Sequence, residues 1–294
     1  MKRIAIVSLL GVLATPGSAQ DAPALRTDLV ISAAALSAER TDPHLVILQA
    51  DRDTVAFAQG HLPGARLILL RAIVVDRDGV PNELPPLPQL DSVLEAAGVS
   101  SDSRVVIYGD PLAAARLFFT LDYLGFAGRA SLLVGGLPAW RAEGLPISTA
   151  APVVRRGHFD AHLRPELVIS ATELFRRLGD SALVFLDARA PAEYRGEVAG
   201  DGVPRPGHIP GAKGFFWHEA LTGSEPARLR EADELRGLLE RVGLVAGKTP
   251  ITYCRTGVQA SYLYFIGRYL GYSPRLYDGS FSEWSRMPAL PVER

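Results

Sequence analysis

Residues 249–272 read TPITYCRTGVQASYLYFIGRYLGY. TPITYC has the apolar run of a buried strand. ASYLYFIGRYLG has the length and apolar spacing of a helix closed by Gly271. Cys254 therefore opens the loop between the C-terminal end of a strand and the N-terminus of a helix. In parallel α/β sheets that edge is where ligands bind. Elsewhere the short apolar runs RVVIY, ASLLV and ALVFLD alternate with amphipathic stretches such as LPQLDSVLEAAG and EADELRGLLERVG. The alternation predicts an α/β fold in which each parallel sheet is flanked by helices on both faces.

The two halves of the chain repeat each other. DLVISAAAL (28–36) matches ELVISATEL (166–174), and HLVILQA (44–50) matches ALVFLDA (182–188), both at an offset of 138. GHLPGA (60–65) matches GHIPGA (207–212) at 147, the difference being an insertion around RGEVAGDGVPRP. YLGF (123–126) matches YLGY (269–272), and LVGGLPAW (133–140) matches LYDGSFSEW (276–284). Two copies of one α/β unit follow, over 28–147 and 166–292, joined by a linker over 148–165 that has little helical or strand periodicity. Features common to both copies are scaffold: His61 and His208 in the GH[LI]PGA turn, and Trp140 and Trp284 as helix-packing residues. Chemistry should lie where the copies differ. Asp187-Ala188-Arg189 stands against Gln49-Ala50-Asp51, and Tyr253-Cys254-Arg255-Thr256-Gly257 against Tyr108-Gly109-Asp110-Pro111-Leu112. The second copy is expected to be active and the first, lacking the cysteine, to support it.

The chain has 294 residues, 48% hydrophobic and 21% charged, enough for two ordinary domains. It begins MKRIAIVSLLGVLATPGSAQD: two basic residues, an apolar run too short to span a bilayer, then small residues. This reads as a secretory signal peptide over 1–19, placing the mature protein outside the cytosol, in a bacterial periplasm, with no membrane attachment after cleavage. Cleavage removes Lys2 and Arg3 and no acid, taking the formal charge from -1 to -3, which gives no reason to expect a nucleic-acid partner. Cys254 is the only cysteine, so no internal disulfide can form. No metal or cofactor is expected: His158 and His162 lie in the linker without a third ligand, and no phosphate-binding glycine loop is present. A C-x5-R phosphatase loop lacks its defining arginine here, because the sixth residue after Cys254 is Ala260.

Cys254 can be an inert small hydrophobe or a nucleophile, and its loop favours the second. The amides of Thr256, Gly257, Val258 and Gln259, the positive end of the following helix, Arg255 and, if the fold brings it near, Arg189 would lower its pKa and hold a small anion. CRTGVQAS resembles the active-site loop of the tandem rhodaneses, the thiosulfate and 3-mercaptopyruvate sulfurtransferases. Phe57–Ala65 (FAQGHLPGA) and Tyr277–Trp284 (YDGSFSEW) resemble that family's N-terminal and C-terminal signatures, and GHFDAHLRPEL resembles its connector. The resemblance spans nearly all the mature chain. It implies that Cys254 takes a sulfane sulfur from a small anionic donor, becomes a persulfide, and passes the sulfur to a thiophilic acceptor such as cyanide or a thiol. Arg255, as in the thiosulfate enzymes, implies thiosulfate as donor, with 3-mercaptopyruvate as donor, or a non-turnover persulfide carrier or binding module, as the alternatives. One departure stands out. Where many members carry a substrate-contacting arginine six residues after Asp187, this chain has Glu193, leaving Arg195 or Arg205 to compensate, or Arg255 and the loop amides to act alone. Arg189 is left between a donor ligand and a structural partner of Glu193.

Overall fold

The computed structural model describes residues 22–126, 128–223 and 228–294, so the expected signal peptide lies outside the described residues. In the first half the strands are β1 (Val30–Ile31), β2 (Leu45–Asp51), β3 (Arg66–Leu69), β4 (Val75–Arg77), β5 (Val80–Glu83), β6 (Arg104–Gly109) and β7 (Ala130–Leu133). The second half contributes β8 (Leu183–Asp187), β9 (Lys213–Gly214), β10 (Thr249–Tyr253) and β11 (Arg275–Leu276). Two wholly parallel sheets result, ordered β1-β7-β6-β2-β3 and β11-β10-β8-β9. The order is the same in both halves, since an isolated parallel bridge from Val168 to Leu276 stands where β1 pairs with β7. The repeat in the sequence is thus a repeat in topology.

Alternation along the strands explains how the sheets are covered. In β2, Val46, Leu48 and Ala50 face one core while Ile47 faces another; β6 divides the same way, Val105 and Ile107 against Val106 and Tyr108. In β8, Val184 and Leu186 join the first of these cores and Phe185 a third. One central core therefore lies between the two sheets, with an outer core on the far face of each. The helices are α1 (Ala33–Ala38), α2 (Val55–Gln59), α3 (Leu87–Ala96), α4 (Pro111–Tyr123) and α5 (Gly136–Ala142), then α6 (Ala171–Arg176), α7 (Pro191–Tyr194), α8 (Ala232–Arg241), α9 (Val258–Tyr269) and α10 (Ser280–Trp284). Helices α3, α4, α8 and α9 fill the central core, and α1 and α5, or α6 and α10, close the outer ones. The serine of each repeated VIS caps a helix: Ser32 accepts from Ala35 N and Ser170 from Glu173 N, both at 3.2 Å.

The repeated histidines and tryptophans occupy matching structural niches. His61 stacks on Phe57 and bonds the Phe57 and Ala150 carbonyls; His208 stacks on Tyr194 and bonds the Tyr194 carbonyl. Trp140 and Trp284 donate to Pro146 O and Pro291 O. Between the halves, residues 149–164 hold no helix or strand but are tied down, Phe159 packing edge-on against Phe126 and Arg164 bonding Asp122.

The first half also carries the antiparallel hairpin β4–β5, turning through Asp78 and Gly79, both at positive φ, and at the matching place in the second half an isolated antiparallel bridge joins Leu221 to Leu229. The hairpin reaches across to the second half, as the geometry around Cys254 shows.

Candidate functional site

Strand β10 ends at Tyr253, and the chain turns at once into α9, which begins four residues after Cys254. The turn needs glycine at its last position. Gly257 has φ +82, and a Cβ there would meet Asp278 O at 2.8 Å. Cys254 itself is held by the C-terminal YDGSFSEW segment: its N–H donates to Ser280 Oγ at 3.2 Å and its carbonyl accepts from Phe281 N at 2.9 Å. Ser282 N bonds Arg255 O at 2.9 Å. Thus α10 straps the loop from beneath, with Ser280 kept at φ 52 and its hydroxyl bonded to Tyr277 O.

The thiol is 1% exposed. Burial pushes Cys254 above the ordinary value for a thiol, and the nearby Asp187 charge adds to this. The backbone N–H groups of Ala260, Thr256 and Gln259 oppose the shift by hydrogen bonding to sulfur. This corrects the expected lowering of the thiol's pKa. The resting thiol is raised, because desolvation outweighs the amides. Ala260 also joins the amides expected from the sequence, Gly257 serves the turn, and the Val258 side chain is buried in the central core.

The arginines account for the missing acidification. Arg255 is 38% exposed and its guanidinium lies 3.5 Å from Glu193 Oε1. Arg189, expected at the donor, is fully buried. Its Nε lies 2.9 Å and 3.2 Å from the Asp187 carboxylate oxygens, and Nη2 lies 2.5 Å from Asp187 Oδ2 and 2.7 Å from Gly207 O. Its guanidinium also sits over the Phe281 ring at 4.1 Å. Burial works against the Arg189 charge, but Asp187 more than offsets it and the cation persists. Its partner is therefore Asp187, not Glu193, which ties Nε and Nη2 into the structure and leaves Nη1 without a partner. Arg195 pairs with Glu197 at the surface, and Arg205 donates to the carbonyls of Trp284, Ser285, Met287 and Leu290 at the end of α10. Neither replaces the absent arginine.

Two contributors were missed from the sequence. The insertion that lengthens the second copy lays Gly200, at φ +76, directly over the Glu193–Arg255 pair, so that a Cβ there would run into both side chains. From the first half, Asn82 at the end of the β4–β5 hairpin donates from Nδ2 to Thr256 Oγ1 at 3.0 Å. Its neighbour Leu84 donates its N–H to Asp278 Oδ2 at 2.7 Å, and the fully buried Arg116 bonds both Asp278 Oδ1 at 2.7 Å and Asn82 O at 2.9 Å. The Asp78-Gly79 pair between two short β-prone runs is the signal that could have revealed the hairpin.

In the first half the corresponding loop carries no thiol. Asp110 occupies it, capping α4 by accepting from Leu112 N at 3.1 Å and Ala113 N at 2.8 Å. Among the described residues no group of three or more His, Cys, Asp or Glu is placed to hold a metal ion, and no helix is long and apolar enough to cross a membrane.

The profile of the rhodanese-like domain matches the chain twice, over residues 32–143 and 170–287. A thiosulfate sulfurtransferase of Azotobacter vinelandii is 36% identical over 271 residues, spanning 90% of this chain and 97% of that protein. A 3-mercaptopyruvate sulfurtransferase of Escherichia coli K12 is 30% identical, spanning 86% of this chain and 93% of that protein. Among solved structures, the 3-mercaptopyruvate sulfotransferase SseA from Escherichia coli superposes with a TM-score of 0.75 at 26% identity, covering 86% of this chain and 98% of that one.

Proposed function

The chain belongs to the rhodanese family of sulfurtransferases, and from that premise we propose that it moves the outer sulfur of thiosulfate to a thiophilic acceptor through a persulfide on Cys254. A sulfurtransferase of the thiosulfate or 3-mercaptopyruvate type is the common ground of its relatives. The observation that carries the finer reading is the loop itself: one thiol at a parallel-sheet edge, three amides directed at its sulfur, and Arg255 beside it with an exposed guanidinium.

In this reading the Cys254 thiolate attacks the outer sulfur of thiosulfate. The S–S bond of the donor breaks, and sulfite leaves with the electron pair. The amides that bond the thiolate remain in place to bond the persulfide's terminal sulfur, which carries the negative charge once loaded. Cyanide or a thiol then attacks that terminal sulfur, and the thiolate is regenerated. Arg255 takes the sulfonate end of the donor, exchanging Glu193 for a dianion. The proposed site of action is the exported compartment implied by the N-terminal sequence.

The test has two parts. Intact mass after thiosulfate should show one added sulfur, lost on cyanide treatment and never gained by Cys254→Ser. Double-reciprocal plots for thiosulfate and cyanide should be parallel, as in ping-pong transfer. Converging lines or activity in Cys254→Ser would overturn the persulfide route. A clearly higher kcat/KM for 3-mercaptopyruvate would move the donor assignment to that compound.

A further inference from the structure

Beside the C-terminal edge of the first sheet, where the second half carries Cys254, lies a cavity of about 540 Å³. None of residues 254–259 lines it, so it is separate from the proposed sulfur-transfer site. Its polar lining includes Gln49, Asp51 and Asp110 of the first half, and Tyr262 and Phe265 of α9 add aromatic surface. Asp51 Oδ2 accepts from Gln49 Nε2 at 2.6 Å, and Asp51 Oδ1 accepts from Asp110 N at 3.0 Å. That arrangement fixes the Gln49 amide and leaves its Oε1 buried without a partner on a side chain only 2% exposed. Buried acceptors are rarely left unmet in native proteins, and an orphan in a cavity marks a place for an incoming donor.

The charges around it give the donor's sign. Asp51 and Asp110 both line the cavity; Asp110 has Arg52 at 3.6 Å on its outer side, and Arg228 enters the wall from the second half. Of these groups the Gln49 carbonyl is unmet and the Asp51 carboxylate carries the negative charge, while Asp110 is committed to the α4 cap and to Arg52. The rest of the lining is largely apolar, as in pockets that bury the body of a small ligand and fix its orientation with a few polar groups. We propose that this cavity is a second ligand site, for a small organic cation with an N–H-rich head, an amidinium or ammonium, on an apolar body. The head donates to Gln49 Oε1 and faces Asp51, while the body lies against Tyr262 and Phe265.

Benzamidine is a suitable probe, with benzamide and benzoate as its neutral and anionic counterparts, each titrated calorimetrically into the full mature chain. Benzamidine should bind saturably at one site, more tightly than benzamide, and benzoate should not bind. Gln49→Leu should weaken benzamidine by about tenfold, and Asp51→Asn should narrow its advantage over benzamide. Neither change should alter sulfur loading of Cys254, and Cys254→Ser should leave benzamidine binding intact. Absence of saturable binding, equal binding of benzoate, or indifference to Gln49→Leu would overturn the site. If the substituted chains do not fold, the wild type decides: contacts between the probe's ring protons and Tyr262 or Phe265 by NMR support the site, and their absence rejects it. Competition between benzamidine and thiosulfate would assign the probe to the sulfur-transfer site and equally reject the proposal.

Discussion

A thiol with three amides favouring its anion, followed by an arginine already paired with Glu193, is poised by competition. Burial holds the proton on Cys254, while the amides of Ala260, Thr256 and Gln259 favour the thiolate. Because the native thiol binds its proton more tightly than an unfolded one, its contribution to stability is fully present below the unfolded pKa. It is lost as pH rises through the native value. Reactivity follows the opposite course. The single-turnover rate of sulfur loading, measured by stopped flow with thiosulfate, should climb with pH into the range above an ordinary thiol. A rate that is flat between about pH 6 and 9 would show the thiolate already formed. The same balance makes Glu193 informative, since it occupies the one arginine that follows the cysteine. Glu193→Gln should lower the KM for thiosulfate about two- to fivefold, the worth of a part-exposed ion pair, and Arg255→Gly should raise it. An unchanged KM in Glu193→Gln would mean that Arg255 does not meet the donor. Cys254 could be picked out in the sequence because strand and helix are punctuated so clearly on either side of it. The partner of Arg189 could have been seen too: Asp187 is two residues away, at the end of β8 and within side-chain reach. The pairing of Glu193 with Arg255, distant in sequence, had no such sign.

At the level of elements, the loop is a junction of pieces from both halves. Helix α10 straps it from below, and the β4–β5 hairpin clasps it from the side through Asn82 and Leu84. Arg116 and Asp278 join these pieces. The arginine is fully buried, so its charge depends on the Asp278 carboxylate and the Asn82 carbonyl. Asp278→Ala would leave that guanidinium uncompensated and should cost about 3–5 kcal/mol, read as a shift in the urea midpoint. Replacing both residues, Arg116→Met with Asp278→Ala, should recover part of the loss, because the buried charge goes with its partner. A double variant as unstable as the single one would show that the pair matters only as packing. The sheets and their major helices were legible, since apolar runs and amphipathic stretches alternate twice at a nearly constant offset. The hairpin escaped because its strands are only 3 and 4 residues long, too short for an alternating pattern to stand out. Its Asp78-Gly79 turn was nevertheless the available clue.

Across the whole molecule, the two halves meet helix to helix, α4 against α9, the same helix of each repeat. Helix α4 is buried along nearly its whole length from Leu112 to Asp122, with its polar residues Arg116, Thr120 and Asp122 all hydrogen-bonded. Phe118 meets Phe265 edge-on at 5.0 Å, and Phe119 meets Tyr264 at 4.9 Å, pairs worth about 0.5–1.5 kcal/mol each beyond their area. At the end of this seam stands Asp122, 2% exposed, which serves three partners from outside its own helix. Its Oδ1 accepts from Arg164 of the connector at 2.7 Å; its Oδ2 accepts from the Tyr264 hydroxyl at 2.8 Å and lies 2.9 Å from Arg268 Nε, placed for charge attraction rather than an aligned hydrogen bond. One carboxylate thus ties the connector and the second half to the first. Since α9 also carries the amides over Cys254, the docking of the halves and the shape of the loop share a single helix. Asp122→Ala should destabilise by about 3–5 kcal/mol, as expected when two guanidinium groups lose a buried counterion. Tyr264→Phe, which removes one hydroxyl and no charge, should cost only about 0.5–1.5 kcal/mol. Urea unfolding followed by tryptophan fluorescence separates the two, with Trp140 reporting on the first half and Trp217 and Trp284 on the second. If the seam couples the halves, Asp122→Ala should also split a single transition into two. A variant that keeps one transition at the wild-type midpoint would show that the aromatic contacts alone hold the halves together.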